Sequence, residues 1–393
     1  MRVKRREVFS ILFSQLFILI YGAASLYLYY HQSQWVDGAV YESDLPAHIR
    51  MAMEEGGVYS LTSLLYRVLY PLPGGIWYII LLLTLCTVGA VYATAALLRE
   101  LDPVPDRGTG FYEIAGLMLN LVMPCYVKGF SDGRYIGMQS PSIWHNSTYI
   151  VMKFTATLCI LFYFRILKRI TEEMKGAQWL SFTLLLLITT AVKPSFLVVL
   201  APAMLILLIV DLIRGVPFRR LFLFGCGVIP SLGVILVQNA LLFGGDSGNG
   251  YAVLPGQAMM QHTGYPVVVT ALSLLFPLVV LFLHGKDLAK NRWYLMVWLM
   301  TLVGFLEYFL LAETGTRGSD GNFLWGYSIA IFLLFTGSLI KWLLDCRDWK
   351  MGVAVLLQKA GIVAAGIALI WHVYCGLYFF IHLVQGTSYW MWG

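Results

Sequence analysis

The chain has 393 residues, of which 59% are hydrophobic, 15% aromatic and only 12% charged, with a formal net charge of +6. A soluble domain carries about 25% charged residues, so this composition excludes an ordinary water-soluble fold and assigns the chain to a membrane. The basic residues are spread over many short segments and form no single run, which argues against nucleic-acid binding.

In chain order, the first apolar stretch runs from Phe9 to Tyr30 behind Arg2, Lys4, Arg5 and Arg6. That start imitates a signal peptide, but the stretch has the length of a span, about 20 residues, and no small-residue cleavage site follows. An uncleaved span with a cytoplasmic N-terminus is expected. The loop 31–75 is the longest between apolar runs. It contains Glu42-Ser43-Asp44-Leu45-Pro46-Ala47-His48-Ile49-Arg50, and Pro46 to Glu55 reads as a short helix with proline in its first turn and Gly56-Gly57 at its end. After it, Val58, Leu61, Leu64, Leu65, Val68, Leu69 and Leu72 recur at helical spacing, which suits a helix lying in the interface plane.

Ten further apolar runs follow, at 76–97, 110–127, 149–166, 179–193, 196–213, 221–243, 266–284, 293–312, 323–344 and 361–383. The expected fold is therefore an all-α integral membrane protein of about eleven transmembrane helices. It forms a single polytopic domain over 1–393, with loop 31–75 as an extracytoplasmic catalytic loop carrying interfacial helices. Val192-Lys193-Pro194-Ser195-Phe196 joins the fifth and sixth runs, either as a tight outer hairpin or inside one long kinked helix. On this arrangement nineteen of the 27 Lys and Arg fall on the inner side and six (Arg50, Arg67, Lys128, Arg134, Lys193 and Arg317) on the outer. Positive residues favour the cytoplasmic side, so the bias sets the orientation of an inner-membrane protein. The six cysteines are far apart and mostly in apolar segments, which reads as buried thiols and neither a zinc site nor a disulfide framework.

Four clusters can carry chemistry. Asp44 and His48, four residues apart at the entrance of a short helix, can face one side of its N-terminus, with Glu42 two residues before. Asp44 reads as a general base or as a helix cap; His48 reads as a diphosphate orienter, metal ligand or proton relay. The second cluster is cationic. Arg50, Lys128, Arg134, Lys193 and Arg317 sit on the outer side against the bias, and Lys153 lies about one turn inside the fourth span. A phosphate-bearing lipid explains the set; local pairing, such as Lys153 with Glu307, or snorkelling explains any one member. Third, Trp144-His145-Asn146-Ser147-Thr148 reads as an interfacial anchor and helix start, or, through Trp144, His145 and Asn146, as a stacking and hydrogen-bonding platform for a sugar, with His145 the residue to test. Fourth, Glu313, Arg317 and Asn322 lie in a glycine-permitted outer loop before the aromatics Trp325 and Tyr327, and suit sugar hydroxyls or phosphate as well as a hydrated turn. The Gly-rich loop 244–265, with Asp246, Gln257 and His262, reads as an ordinary loop or a mobile lid.

Through Glu42-Ser43-Asp44-Leu45-Pro46-Ala47-His48, the amphipathic helix behind it and Lys193-Pro194-Ser195-Phe196, the chain resembles the GT-C superfamily of polytopic glycosyltransferases, which use polyprenyl-phosphate-linked sugars. The resemblance concerns architecture over most of the chain and a motif of only a few residues. It implies an extracytoplasmic first loop with an essential acid, matched by Asp44, and loop cations on the lipid phosphate, matched by Lys193 and Arg317. It further implies a glycan or lipid acceptor. A paired Asp-x-Asp is absent, Glu42-Ser43-Asp44 standing in its place, and the large soluble C-terminal domain of some members is missing. A divalent metal is therefore left open. A polysaccharide polymerase or ligase of the cell envelope shares the donor and site. A transporter of lipid-linked glycans instead requires inverted repeats, broken helices and polar residues at mid-membrane.

Overall fold

The computed structural model describes residues 2–36, 38, 40–54, 57–104, 107–130, 138–171, 175–243, 250–315, 321–352 and 355–390. Arg134, Asp246 and Arg317 lie outside them. A long α1 (Arg2–Ser33) is followed by two short helices, α2 (Leu45–Met53) and α3 (Leu61–Leu69), and then by α4 (Gly75–Leu101), α5 (Thr109–Leu121), α6 (Ser147–Arg169), α7 (Gly176–Val192) and α8 (Ser195–Ile213). Next come α9 (Phe218–Cys226) and α10 (Ile229–Phe243), strand β1 (Gly250–Val253), α11 (Gln257–His262), α12 (Pro266–Ser273) and α13 (Leu275–His284). The chain continues with α14 (Arg292–Leu310), β2 (Leu311–Thr314), α15 (Leu324–Lys350) and α16 (Leu356–Val384).

Among the described residues, eight helical segments are long and apolar enough to cross a membrane, and a ninth exists if the pair α12–α13 counts as one bent span. The expectation of eleven spans is corrected at three of its apolar runs. The run 110–127 is helical only to Leu121, as the 13-residue α5, and α7 has 17 residues; both are shorter than the roughly 20 residues that cross the hydrocarbon. The run 266–284 is broken by a bend of 73° at Leu274. The fifth and sixth runs are two helices, α7 and α8, separated at Lys193-Pro194.

α15 is the axis of the bundle, with every residue from Leu324 to Lys341 buried. Gly326 lets α8 approach it closely: a Cβ there would stand 2.7 Å from the Ser195 carbonyl oxygen. Small residues at such crossings are how apolar helices gain contact in lipid. α1 lies at the periphery, and Phe9, Leu12, Leu16, Leu19 and Ile20 on it are exposed.

After α5, residues 122–127 enter the bundle without forming a helix. Their polar backbone groups must find partners there, because apolar surroundings offer none. The break in α12–α13 supplies them. Leu272 O and Phe276 N–H, an i, i+4 pair parted by the bend, are taken up by Cys125 N–H (3.1 Å) and by His372 Nε2 (3.4 Å). His372, fully buried in α16, also bonds Met123 O through Nδ1 (2.7 Å), and its own carbonyl accepts from Met123 N–H (3.2 Å). Gly376 is required one turn on, since a Cβ there would fall 1.3 Å from Leu121 O. Further along, Met138 to Asn146 is buried throughout. Trp144, expected at the membrane interface, is 3% exposed; it donates to Tyr21 OH (3.0 Å) and packs on Phe379 and Phe380. The reason is that the whole segment folds inward and carries the indole with it.

The two short helices of loop 31–75 form close to where the sequence sets them. α3 opens on a capping box between Ser60 and Ser63 and buries Thr62, Ser63 and Tyr66 against the protein. Leu64 and Val68 face outward, the arrangement of a helix that turns its apolar side to lipid. β1 and β2, far apart in the chain, pair antiparallel, with Gly250 opposite Thr314 and Val253 opposite Leu311, a strand pair the sequence reading missed. β2 continues α14 directly, and Tyr251 OH of β1 donates to Asn239 Oδ1 of α10 (3.4 Å), which sets the strand pair beside both helices. The opposite end of the bundle carries the ion pairs Arg107–Asp102, Arg165–Glu100, Lys168–Glu100 and Arg292–Asp211, and a His284–Asp345 hydrogen bond.

Candidate functional site

The site is built around the start of α6. Asn146 caps that helix, its Oδ1 accepting from Tyr149 N–H (3.0 Å) and from the Thr148 hydroxyl (2.7 Å). Its Nδ2 donates to Asp44 Oδ2 (2.8 Å). Thr148 Oγ1 in turn accepts from Lys193 Nζ (2.8 Å). Lys193, Thr148, Asn146 and Asp44 thus form one chain of three hydrogen bonds in which every donor points toward the Asp44 carboxylate. Asp44 makes no side-chain capping bond to α2, so the capping alternative is not realised by its carboxylate. The neighbouring Ser43 hydroxyl accepts from Leu45 N–H (3.2 Å) and donates to His145 O (2.8 Å).

This chain runs along a cavity of about 430 Å³ between α2, α6, the α7–α8 turn, α10, α14 and the β1–β2 strand pair. Its polar lining includes His48, Asn146, Thr148, Lys193, Gln238, Glu307, Glu313 and Asn322, and Val192, Val198, Ile235, Leu242 and Phe323 add apolar wall. The Lys193 ammonium stands over the Trp325 ring, 4.9 Å from its centroid. Trp325 Nε1 donates to Asn322 Oδ1 (2.8 Å) and Asn322 Nδ2 to Glu313 Oε2 (2.5 Å), which fixes the indole as a flat platform. His48 reaches Ser147 Oγ with Nδ1 (2.9 Å). Burial, and after it the nearby Lys193 charge, pushes the His48 imidazole down to about 3, so it is neutral at ordinary pH. His145 is held well below its ordinary value, first by burial and then by His48 and Lys193.

Of the residues singled out in the sequence, His48, Lys193, Glu313 and Asn322 line the cavity and Asp44 is bonded to its rim. His145 lies behind the cavity, buried and stacked on Tyr389 with ring centroids 3.7 Å apart; its carbonyl accepts from Asp44 N–H (3.2 Å). Glu42 points away, accepting from Ser388 Oγ (2.7 Å) and Trp390 Nε1 (3.0 Å) of the C-terminal segment. Arg50 lines a different cavity, on the other side of α2, with Glu54 and Tyr70. Lys128 is exposed on a turn, and His262 stacks against Trp390. Lys153 is buried, with Nζ 3.4 Å from Ser142 Oγ and 4.1 Å from the Phe332 ring centroid. It lines a small separate cavity with Asn120 and Trp144, while Glu307 lines the large one, so the expected Lys153–Glu307 pair is not formed.

The sequence reading did not assign Thr148, Gln238 or Glu307 to the site. Thr148 was hidden in a triplet that reads as a helix start. Gln238-Asn239 and Glu307 carried a usable signal, polar groups one turn from the end of apolar runs. Among the described residues no group of three or more His, Cys, Asp or Glu is arranged to hold a metal ion. The apolar helices and the cavity define a helical membrane protein with a polar pocket at one end of its bundle. No protein-family model matches the chain, and no curated protein matches it.

Proposed function

We propose that the chain is a membrane glycosyltransferase of GT-C-like architecture that moves a sugar from a polyprenyl-phosphate donor to a hydroxyl of a glycan or lipid acceptor. The observation that carries this reading is the hydrogen-bond chain from Lys193 to Asp44 along a cavity with both polar and apolar walls. Asp44 takes the acceptor proton and the acceptor oxygen attacks the anomeric carbon. The bond from that carbon to the phosphate oxygen breaks, and its electron pair leaves with the lipid phosphate. Negative charge growing on that oxygen is the main electrostatic demand, and the Lys193 ammonium answers it. Trp325, whose ring lies under the Lys193 ammonium, helps hold that charge at the cavity wall. The positive-inside bias sets this end of the bundle on the extracytoplasmic face, with the N-terminus in the cytoplasm. The test is release of polyprenyl phosphate from a radiolabelled polyprenyl-phosphate sugar by the purified protein in liposomes. Asp44→Asn is expected to lower turnover about 10²- to 10⁴-fold, the usual contribution of a positioned general base. Near wild-type turnover in Asp44→Asn overturns the assignment.

A second reading, a transporter of lipid-linked glycans, is favoured by one feature: the bend at Leu274 beside the non-helical segment 122–127. Movement of a fluorescent lipid-linked sugar across the bilayer without release of lipid phosphate selects it.

A further inference from the structure

The α10–α14 side of the cavity carries hydrogen-bond acceptors that the protein leaves unused. Gln238 is 5% exposed; its Nε2 donates to Ala191 O (3.0 Å), which holds the amide so that Oε1 is the end left over. That Oε1 has no hydrogen-bond partner among the described residues. Glu307 lines the same cavity from the last turn of α14 and makes no side-chain hydrogen bond or ion pair among the described residues. A carboxylate in the last turn of a helix opposes the helix dipole, and in an apolar span it is costly, so it marks a place where a partner is expected. Gln238 is five residues before the end of α10 and Glu307 three before the end of α14, and both line the one cavity. The two therefore sit at similar depth, on the order of 5–8 Å inside the span ends at 1.5 Å per residue.

We infer that Gln238 and Glu307 form a subsite that reads hydrogen-bond donors, hydroxyl or amine, on the headgroup of the ligand in this cavity. The Lys193 ammonium lines the same cavity, which therefore offers a cationic group together with these acceptors. A ligand that carries both an anionic group and hydrogen-bond donors matches both. Buried acceptors reject a headgroup that has only acceptors of its own, because both sets of lone pairs are then left unmatched. The inference deepens the reading above and rests on it for taking the donor-rich headgroup to be a sugar.

The test uses three amphiphiles with one tail and no phosphate: octyl glucoside, octyl glucosaminide with an amine on the ring, and octyl tetraethylene glycol ether, whose chain offers ether acceptors and one terminal hydroxyl. The full-length protein in lipid nanodiscs is titrated below the micelle-forming concentration of each, and Kd is read from the rise in unfolding temperature. Wild type is expected to bind the glucoside roughly tenfold more tightly than the ether, the discrimination of about one buried hydrogen bond. Gln238→Leu is expected to remove most of that ratio and leave ether binding unchanged, whereas Glu307→Gln, which sets an N–H donor beside the remaining acceptor, is expected to narrow the ratio by weakening the glucoside and strengthening the ether. Glu307→Gln should weaken the glucosaminide more than the glucoside if the amine is the preferred donor; equal weakening assigns the subsite to hydroxyls. Equal binding of glucoside and ether by wild type, or wild-type ratios in both variants, overturns the subsite. Glu307→Gln keeps the shape of the side chain and reads the result if Gln238→Leu does not fold. Saturable glucoside binding without any release of lipid phosphate sinks the transferase and leaves the subsite standing.

Discussion

Replacing Thr148 by valine keeps its shape and deletes the one atom that links Lys193 to Asn146. Two hydrogen bonds are lost at once, at a cost of about 1–3 kcal/mol for the groups left unmatched. Asp44 keeps its bond from Asn146, but Asn146 Oδ1 loses one of its two donors, and Lys193 is cut off from the chain. Thr148→Val is therefore expected to lower sugar transfer roughly 10- to 100-fold at that cost, with little change in folding, while Thr148→Ser retains most activity. Measuring turnover and unfolding temperature for both variants separates a relay from simple packing. His48 gives a pH prediction at the same scale. Its ordinary pKa of 6.5 falls to about 3 in the fold through burial and the Lys193 charge. Between those values the unfolded chain binds a proton that the folded chain does not, so stability falls as pH drops from about 6.5 toward 3. His48→Gln is expected to flatten the decline in unfolding temperature over that window; an unchanged slope removes His48 as its source. Asp44 and Lys193 were legible in the sequence because charges beside apolar runs stand out. Thr148 was not, because a threonine beside a helix start has an ordinary local explanation, and only the fold brings Lys193 to it.

At the scale of elements, the sequence separates apolar from polar segments well and helix from buried extended chain poorly. Residues 110–127 look like a span because chain buried in a bundle needs apolar side chains whether or not it is helical. What divides them at Leu121 is tertiary: the close approach at Gly376 and the donors and acceptors released by the bend at Leu274. The β1–β2 strand pair was missed for the related reason that strands of four residues are too short to show an alternating pattern. His372 tests this account. Since Nδ1 faces a carbonyl and Nε2 faces an N–H, the ring must be neutral with its proton on Nδ1. His372→Leu leaves Met123 O without its side-chain donor and Phe276 N–H without an acceptor, each worth about 1–3 kcal/mol when buried. The expected result is a marked fall in unfolding temperature. Faster hydrogen exchange at Phe276 and Cys125 should accompany it, as the break and the inserted segment loosen together. Protection unchanged at both amides means that the bend does not depend on the imidazole.

For the whole molecule, the two ends of the bundle differ in kind. One end collects the carboxylate–cation pairs of Arg107, Arg165, Lys168 and Arg292, and the other holds the cavity, the β1–β2 strand pair and the interfacial helices. Charge asymmetry of this sort orients helical membrane proteins, because moving short basic loops across the bilayer is what insertion resists. The proposed chemistry depends on that orientation: a polyprenyl-phosphate sugar with its head on the extracytoplasmic face reaches only a cavity that opens there. Single cysteines decide it. Val253, in β1, is 69% exposed, and Lys175, just before α7, is exposed at the opposite end. In a background with Cys226 and Cys346 replaced by serine, the remaining four native cysteines are buried. In intact cells a membrane-impermeant maleimide is expected to label Val253→Cys and to spare Lys175→Cys until the membrane is opened. The reverse pattern would turn the cavity toward the cytosol, where Asp44 and Lys193 meet soluble nucleotide sugars, and the lipid-phosphate donor would lose its physical justification.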